Sequence, residues 1–221
     1  VGIGQRALFV TTPDGNVLWE PPGFLGPSLV DWLEQHGGVG AIAASHPHLV
    51  GASVSLSHRF GRVPVYYNDS DRRWVTRPDP VVRFWSDTTE VLGGVRLVQC
   101  GGHFPGSAVL HLPDAADGRG AVLTGDTIKG VMQPGMVTFM RSYPNMIPLS
   151  PRLVRQIVDR VNELRFDRLY DAFGVVVAEN ARDVVDSSAR RYIGWVTDSI
   201  VDPDDPHAPA RGPAGSSQAS G

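Results

Sequence analysis

The sequence predicts an α/β (α+β) domain in which two packed β-sheets are covered on their outer faces by helices. Three observations predict it. Short β-branched and aliphatic runs fall in two groups along the chain, each followed by helical periodicity. Gly 25 and Pro 18, many of them between those runs, supply the turns of a strand-rich fold. The 221 residues, 42% hydrophobic and 19% charged, are enough to bury a core without staples, so one domain over residues 1–201 is the expectation.

Taken in order, residues 7–10 and 17–19 flank Thr11-Thr12-Pro13-Asp14-Gly15-Asn16 and read as an opening hairpin. Residues 27–36 place apolar side chains at 29, 30, 32 and 33 and stop at Gly37-Gly38, which predicts an amphipathic helix with a glycine C-terminus. A short buried strand follows at 41–44. Strands are then expected at 63–67, 89–92, 95–100, 108–112 and 121–124, with a short helix over 69–76 capped by Asn68 or Asp69 and ended by Arg77-Pro78. Ser150-Pro151 opens a helix to about 163, with apolar residues at 153, 154, 157, 158 and 161. A strand at 168–172 and a last helix at 178–196 complete the domain. Residues 202–221 are rich in Pro, Gly, Ser and Asp with nothing to bury, and are expected to be a disordered tail.

Composition also excludes partners. Twenty Lys+Arg against 23 Asp+Glu give a net charge of -3 with no basic stripe, so no nucleic acid is expected. No window approaches 18 apolar residues and the opening segment does not read as a signal peptide, so no membrane is expected either. The chain starts at Val1, and an upstream segment is compatible with that. Its one cysteine, Cys100, cannot form an intrachain disulfide, which fits a reducing, cytoplasmic setting and reads as a small buried residue. Oligomeric state is not legible.

The chemistry lies in loops that follow strands. His46-Pro47-His48 follows the strand at 41–44, and His103 lies in Gly101-Gly102-His103-Phe104-Pro105-Gly106-Ser107 after the strand ending at Cys100. Two imidazoles two residues apart can point the same way from an extended loop, and a third from a distant loop completes a three-histidine face for one metal ion. Asp126, in Leu123-Thr124-Gly125-Asp126, offers a fourth, anionic ligand at another strand end. The other histidines read differently: His111 as a surface or hydrogen-bonded strand residue, His58 as a helix residue, His36 and His207 as a helix end and the tail.

His-x-His, Gly-Gly-His-x-x-Gly-Ser and Leu-Thr-Gly-Asp, in that order, resemble the motifs of the metallo-β-lactamase superfamily of hydrolases, over at least residues 41–126. The resemblance implies an αββα sandwich of two mixed sheets flanked by helices, with the metal site at one edge between the sheets. It departs from that pattern at the second metal. The superfamily's His-x-His-x-Asp-His has Val50 and Gly51 in its last two positions here, and its last histidine falls where this chain has Ala172-Phe173-Gly174. One ion on His46, His48, His103 and Asp126 is therefore expected, zinc first, with iron as an alternative because two histidines and a carboxylate also make a facial triad. The implied function is a metal-dependent hydrolase acting through a metal-activated water on the ester, thioester, lactone or amide carbonyl of a small molecule. Asp126 and His48 are the catalytic candidates, Asp126 as ligand or as orienter of the water, and Phe104, Tyr143 and Phe173 are the substrate-side candidates. The alternatives are a degenerate, non-catalytic member that binds a ligand or partner, and a mononuclear iron oxygenase.

Overall fold

The computed structural model describes residues 4–208. Strands β1 (Leu8–Thr12) and β2 (Gly15–Trp19) form the opening hairpin, followed by α1 (Pro27–Gln35), β3 (Ala41–Ala43), α2 (Ser53–Arg59), β4 (Val65–Asn68) and β5 (Val82–Trp85). Next come β6 (Thr88–Leu92), β7 (Val95–Gln99), β8 (Ala108–Leu112) and β9 (Ala121–Gly125). Four short strands, β10 (Lys129–Gly130), β11 (Val137–Thr138), β12 (Met140–Ser142) and β13 (Ile147–Pro148), lead to α3 (Pro151–Asn162), β14 (Arg168–Asp171), β15 (Val176–Val177) and α4 (Ala181–Val196).

The strands make two main sheets. One has the order β1-β2-β3-β4-β5, antiparallel only at the hairpin and parallel thereafter. The other has the order β15-β14-β9-β8-β7-β6 and is antiparallel except where β14 runs parallel to β9. Both are mixed sheets.

Side-chain alternation turns these two sheets into four layers. Successive strand residues face opposite ways, and here both faces are apolar. Val17 and Trp19 of β2 and Ala41 and Ala43 of β3 point between the sheets, where they meet Leu97 of β7, Ala108 and Leu110 of β8 and Leu123 of β9. Their neighbours Leu18 and Ile42 point outward and pack with Leu33 of α1 and Val54 and Leu56 of α2. Across the molecule Val98, Val109 and Val122 point outward onto Val154, Ile157 and Val161 of α3 and Val185 and Ala189 of α4. Burial on both faces explains why the strands read as continuous apolar runs rather than alternating ones. The fold is the expected αββα sandwich, and no helix among the described residues is long and apolar enough to cross a membrane.

Several local expectations need correction. The helix expected over 69–76 is a single 3-10 stretch, Asp69–Trp74, although Asn68 does cap it by accepting from the Ser70 N–H at 3.0 Å. Strand β5, absent from the sequence reading, is an exposed edge with Arg83 and Phe84 turned outward. The last helix starts at Ala181 rather than 178, because Val176 and Val177 pair with Tyr170 and Leu169 and Asn180 takes a left-handed backbone held by Asp167. Ser150 sits at the N-cap of α3 but its hydroxyl makes no capping bond. Of the expected tail, residues 202–208 run as turns, and 209–221 lie outside the described residues.

Candidate metal centre

The ends of β3, β7 and β9 converge at one edge of the sandwich. Leaving β3, the chain stays extended through His46 (φ -166, ψ 171), and the 3-10 turn Pro47–Leu49 then presents His48. The loop after β7 carries His103, and Asp126 follows β9 directly. One ring nitrogen from each of His46, His48 and His103 lies within 4.8 Å of the others. The His46 and His103 rings stand perpendicular, with centroids 4.7 Å apart. Asp126 Oδ2 lies 3.7 Å from His46 Nε2 and 3.9 Å from His103 Nε2. All four residues singled out from the sequence are thus brought together; His46, His103 and Asp126 are nearly inaccessible, and His48 opens to solvent.

Hydrogen bonding on the far side of each ring sets what faces the cluster. His103 Nδ1 lies 3.0 Å from the Met140 carbonyl, which can only accept, so Nδ1 carries the hydrogen and Nε2 presents a lone pair. His46 Nδ1 is 2.9 Å from the Ser45 hydroxyl. Within the cluster, His46 Nε2, His103 Nε2 and Asp126 Oδ1 are buried with no hydrogen-bond partner. A buried polar atom left unpaired costs about 1–3 kcal/mol, and three of them around one point ask for a common partner. Burial also pushes both imidazoles below their ordinary pKa, with the neighbouring histidines adding to it, and burial pushes Asp126 up to about 6. The rings therefore stay neutral and do not pair with Asp126 as cations. Two neutral imidazoles, each backed by an outer hydrogen bond, and a carboxyl with an unpartnered oxygen fit a borderline divalent cation.

Gly51 stands where the superfamily pattern has a histidine. Its backbone is left-handed (φ +47), and a Cβ there would lie 2.1 Å from the Pro21 carbonyl oxygen and 2.6 Å from that of Pro22. No histidine fits without moving that segment. Val50 is packed against the apolar cluster under α1 and α2. Phe173 lies in a turn whose N–H groups, from Phe173, Gly174 and Val175, all donate to Asp171 Oδ1. Over its ring sits the Lys129 ammonium, 3.3 Å from the centroid.

A cleft of about 750 Å³ opens onto His48, His103 and Asp126, and Phe104, Tyr143 and Phe173 all line it. The Tyr143 hydroxyl donates to the Asp126 carbonyl at 3.1 Å. Lys129, Arg73, Arg141 and Trp74, none of them found from sequence, line it as well. His58 pairs instead with Asp79 at 2.9 Å on the surface. His111 is buried, 2.9 Å from the Arg165 carbonyl through Nε2. Cys100 is buried and its thiol is pushed up to about 12, so it is no nucleophile.

No family model matches the chain. The uncharacterized protein YmaE of Bacillus subtilis (strain 168) is 43% identical over 192 residues, which cover 86% of this chain and 70% of YmaE. Among solved structures, TTHA1623 in a di-iron-bound form superposes with a TM-score of 0.60 at 23% identity, over 83% of this chain and 94% of that one. A metallo-β-lactamase from Pontibacter korlensis does so with a TM-score of 0.61 at 19% identity, over 84% and 87%. At those identities the two structures bear on the fold, which is that of the metallo-β-lactamases.

Proposed function

We propose, for a chain that belongs to the same family as the uncharacterized protein YmaE of Bacillus subtilis and is built on the metallo-β-lactamase fold, that it is a metal-dependent hydrolase with one ion, zinc by preference, at His46, His48, His103 and Asp126. The observation that carries this reading is the set of unpartnered buried atoms, His46 Nε2, His103 Nε2 and Asp126 Oδ1, beside a cleft wide enough for a small molecule that His48, His103 and Asp126 line. A zinc-class ion bound there lowers the pKa of a water toward ~7 and polarises a carbonyl oxygen.

The chain's own residues do the rest. His46 and His103 hold the ion from rings oriented by Ser45 and Met140. His48, at the exposed side of the cluster, reaches both ion and cleft. Asp126, whose carboxyl is pushed up to about 6 by burial in the metal-free chain, is still mostly ionised at neutral pH and would serve as the anionic ligand or orient a water beside the ion. Phe104, Tyr143 and Phe173 give the substrate's apolar part a dry wall. Esters, thioesters, lactones and amides share the carbonyl this arrangement would act on.

The test joins metal content to turnover. Protein prepared without a chelating tag is expected to hold one equivalent of metal and to turn over members of an ester and thioester panel only when loaded. His46→Ala with His103→Ala is expected to lose both. Undiminished metal in that double variant would sink the site. Stoichiometric metal without turnover of any substrate would favour a ligand-binding role instead. A second reading has its own observation: Asp126 Oδ2 stands against His46 and His103 alone, the two-histidine, one-carboxylate set of a mononuclear iron oxygenase. Substrate-dependent oxygen uptake by the Fe(II) form would select it.

A further inference from the structure

Beneath the histidine cluster lies an acidic side chain that the hydrolase reading does not use. Glu20, immediately after β2, is 0% exposed and has a left-handed backbone (φ 55). Its Oε1 accepts from the Ser45 N–H at 3.2 Å, while Oε2 has no partner. The same Ser45 places its hydroxyl 2.9 Å from His46 Nδ1. At the end of β9, Gly125 (φ +53) closes over the pair: a Cβ there would lie 2.0 Å from Ser45 Oγ and 2.6 Å from Glu20 Oε1. Burying a half-paired carboxyl and a left-handed non-glycine backbone is costly, and an apolar side chain would pack this position more cheaply.

We infer that Glu20, acting through Ser45, is a positioning residue that fixes His46 in the tautomer whose Nε2 lone pair faces the cluster. The inference rests on the metal-site reading above. A neutral imidazole carries one N–H, and a hydroxyl can either donate or accept. If Ser45 donated to Nδ1, the ring hydrogen would sit on Nε2 and point into the cluster, where no cation could bind. Glu20 removes the ambiguity. Its Oε1 accepts the Ser45 N–H and lies beside the Ser45 hydroxyl, the two oxygens falling 2.6 and 2.0 Å from one Cβ position at Gly125, and a hydroxyl that turns its hydrogen to Oε1 accepts from Nδ1. A proton on Oε2 would leave Oε1 an acceptor still, so the polarity of the chain is the same in either state. Both Ser45 groups oppose the upward push of burial on the Glu20 carboxyl. His103 solves the same problem with a main-chain acceptor, the Met140 carbonyl, and so serves as an internal control.

The test reads the tautomer directly in metal-free protein, by long-range proton–nitrogen correlation on histidine labelled with ¹⁵N. The wild-type chain is expected to hold His46 as Nδ1–H. Glu20→Gln, whose amide can donate to Ser45 Oγ and reverse the chain, and Ser45→Ala, which cuts it, should both gain an Nε2–H population at His46 with His103 unchanged. Zinc affinity should fall on the order of 10–100-fold in each. Wild-type His46 as Nε2–H, His46 staying Nδ1–H in both variants, or both rings shifting together would overturn the inference. If Glu20→Gln does not fold, Ser45→Ala decides. Because the tautomer is read without metal or turnover, failure of the hydrolase reading cannot mimic either result.

Discussion

Replacing Gly51 is a severe single test of the one-ion proposal. Gly51→Ala adds one methyl group at φ +47, where a left-handed backbone costs an L-residue about 1–2 kcal/mol. The added Cβ would lie 2.1 Å from the Pro21 carbonyl oxygen and 2.7 Å from the Pro22 carbonyl carbon. Those are backbone atoms, so no flexible side chain can give way, and overpacking of this kind costs typically about 1–3 kcal/mol. The sum, roughly 2–5 kcal/mol, is a large part of a domain's stability of about 5–15 kcal/mol. Urea unfolding of zinc-free protein, followed by tryptophan fluorescence, would measure it from the midpoint at constant slope. The double variant Val50→Asp with Gly51→His, which restores two of the three departed ligand positions, is expected to be less stable still and to bind no second ion. A Gly51→Ala protein within about 0.5 kcal/mol of wild type, or a folded double variant holding two equivalents of zinc, would refute the reasoning.

Three other outcomes follow from the same geometry. Zinc affinity should weaken by up to tenfold per unit as pH falls below about 6, where Asp126 takes up its proton; calorimetric affinities unchanged from pH 7.5 to 5 would contradict this. The Lys129 charge holds the Asp126 pKa down against burial, so Lys129→Met should move that midpoint to higher pH, and a midpoint shifted downward would count against it. Phe139, wholly buried where α3 and α4 meet the second sheet, should cost about 3–5 kcal/mol on truncation to alanine in urea unfolding, with zinc stoichiometry unchanged in the folded fraction.

The layers were legible because the central strands bury both faces: runs such as Ala108–Leu112 and Ala121–Gly125 are buried almost throughout, and the order of the strands placed three histidine and aspartate loops at strand ends. Strand β5 was not, because it is an edge strand whose middle residues, Arg83 and Phe84, are exposed, leaving only Val82 and Trp85 to meet the apolar clusters. The two-residue strands β10, β11, β13 and β15 are too short to leave a period, and tertiary pairing alone creates them. At the site, residue type and loop position were enough for His46, His48, His103 and Asp126. The groups that orient them were harder to see. Met140 contributes a main-chain carbonyl, which carries no sequence signature. Glu20 did leave one, an acid closing the apolar run Val17-Leu18-Trp19, and Ser45 sits next to the first histidine. The departures from the superfamily pattern at positions 50, 51 and 173 were readable, but the closeness of the Pro21 and Pro22 carbonyls to any side chain placed at position 51 exists only in three dimensions.

The central claim is a single metal ion on the histidine and aspartate cluster. Elemental analysis of protein purified without a chelating tag, for zinc, iron, manganese and nickel, tests it most directly. The account predicts close to one equivalent per chain, lost in the His46→Ala, His103→Ala double variant. Two equivalents, or a folded protein that takes up no added zinc, would contradict it.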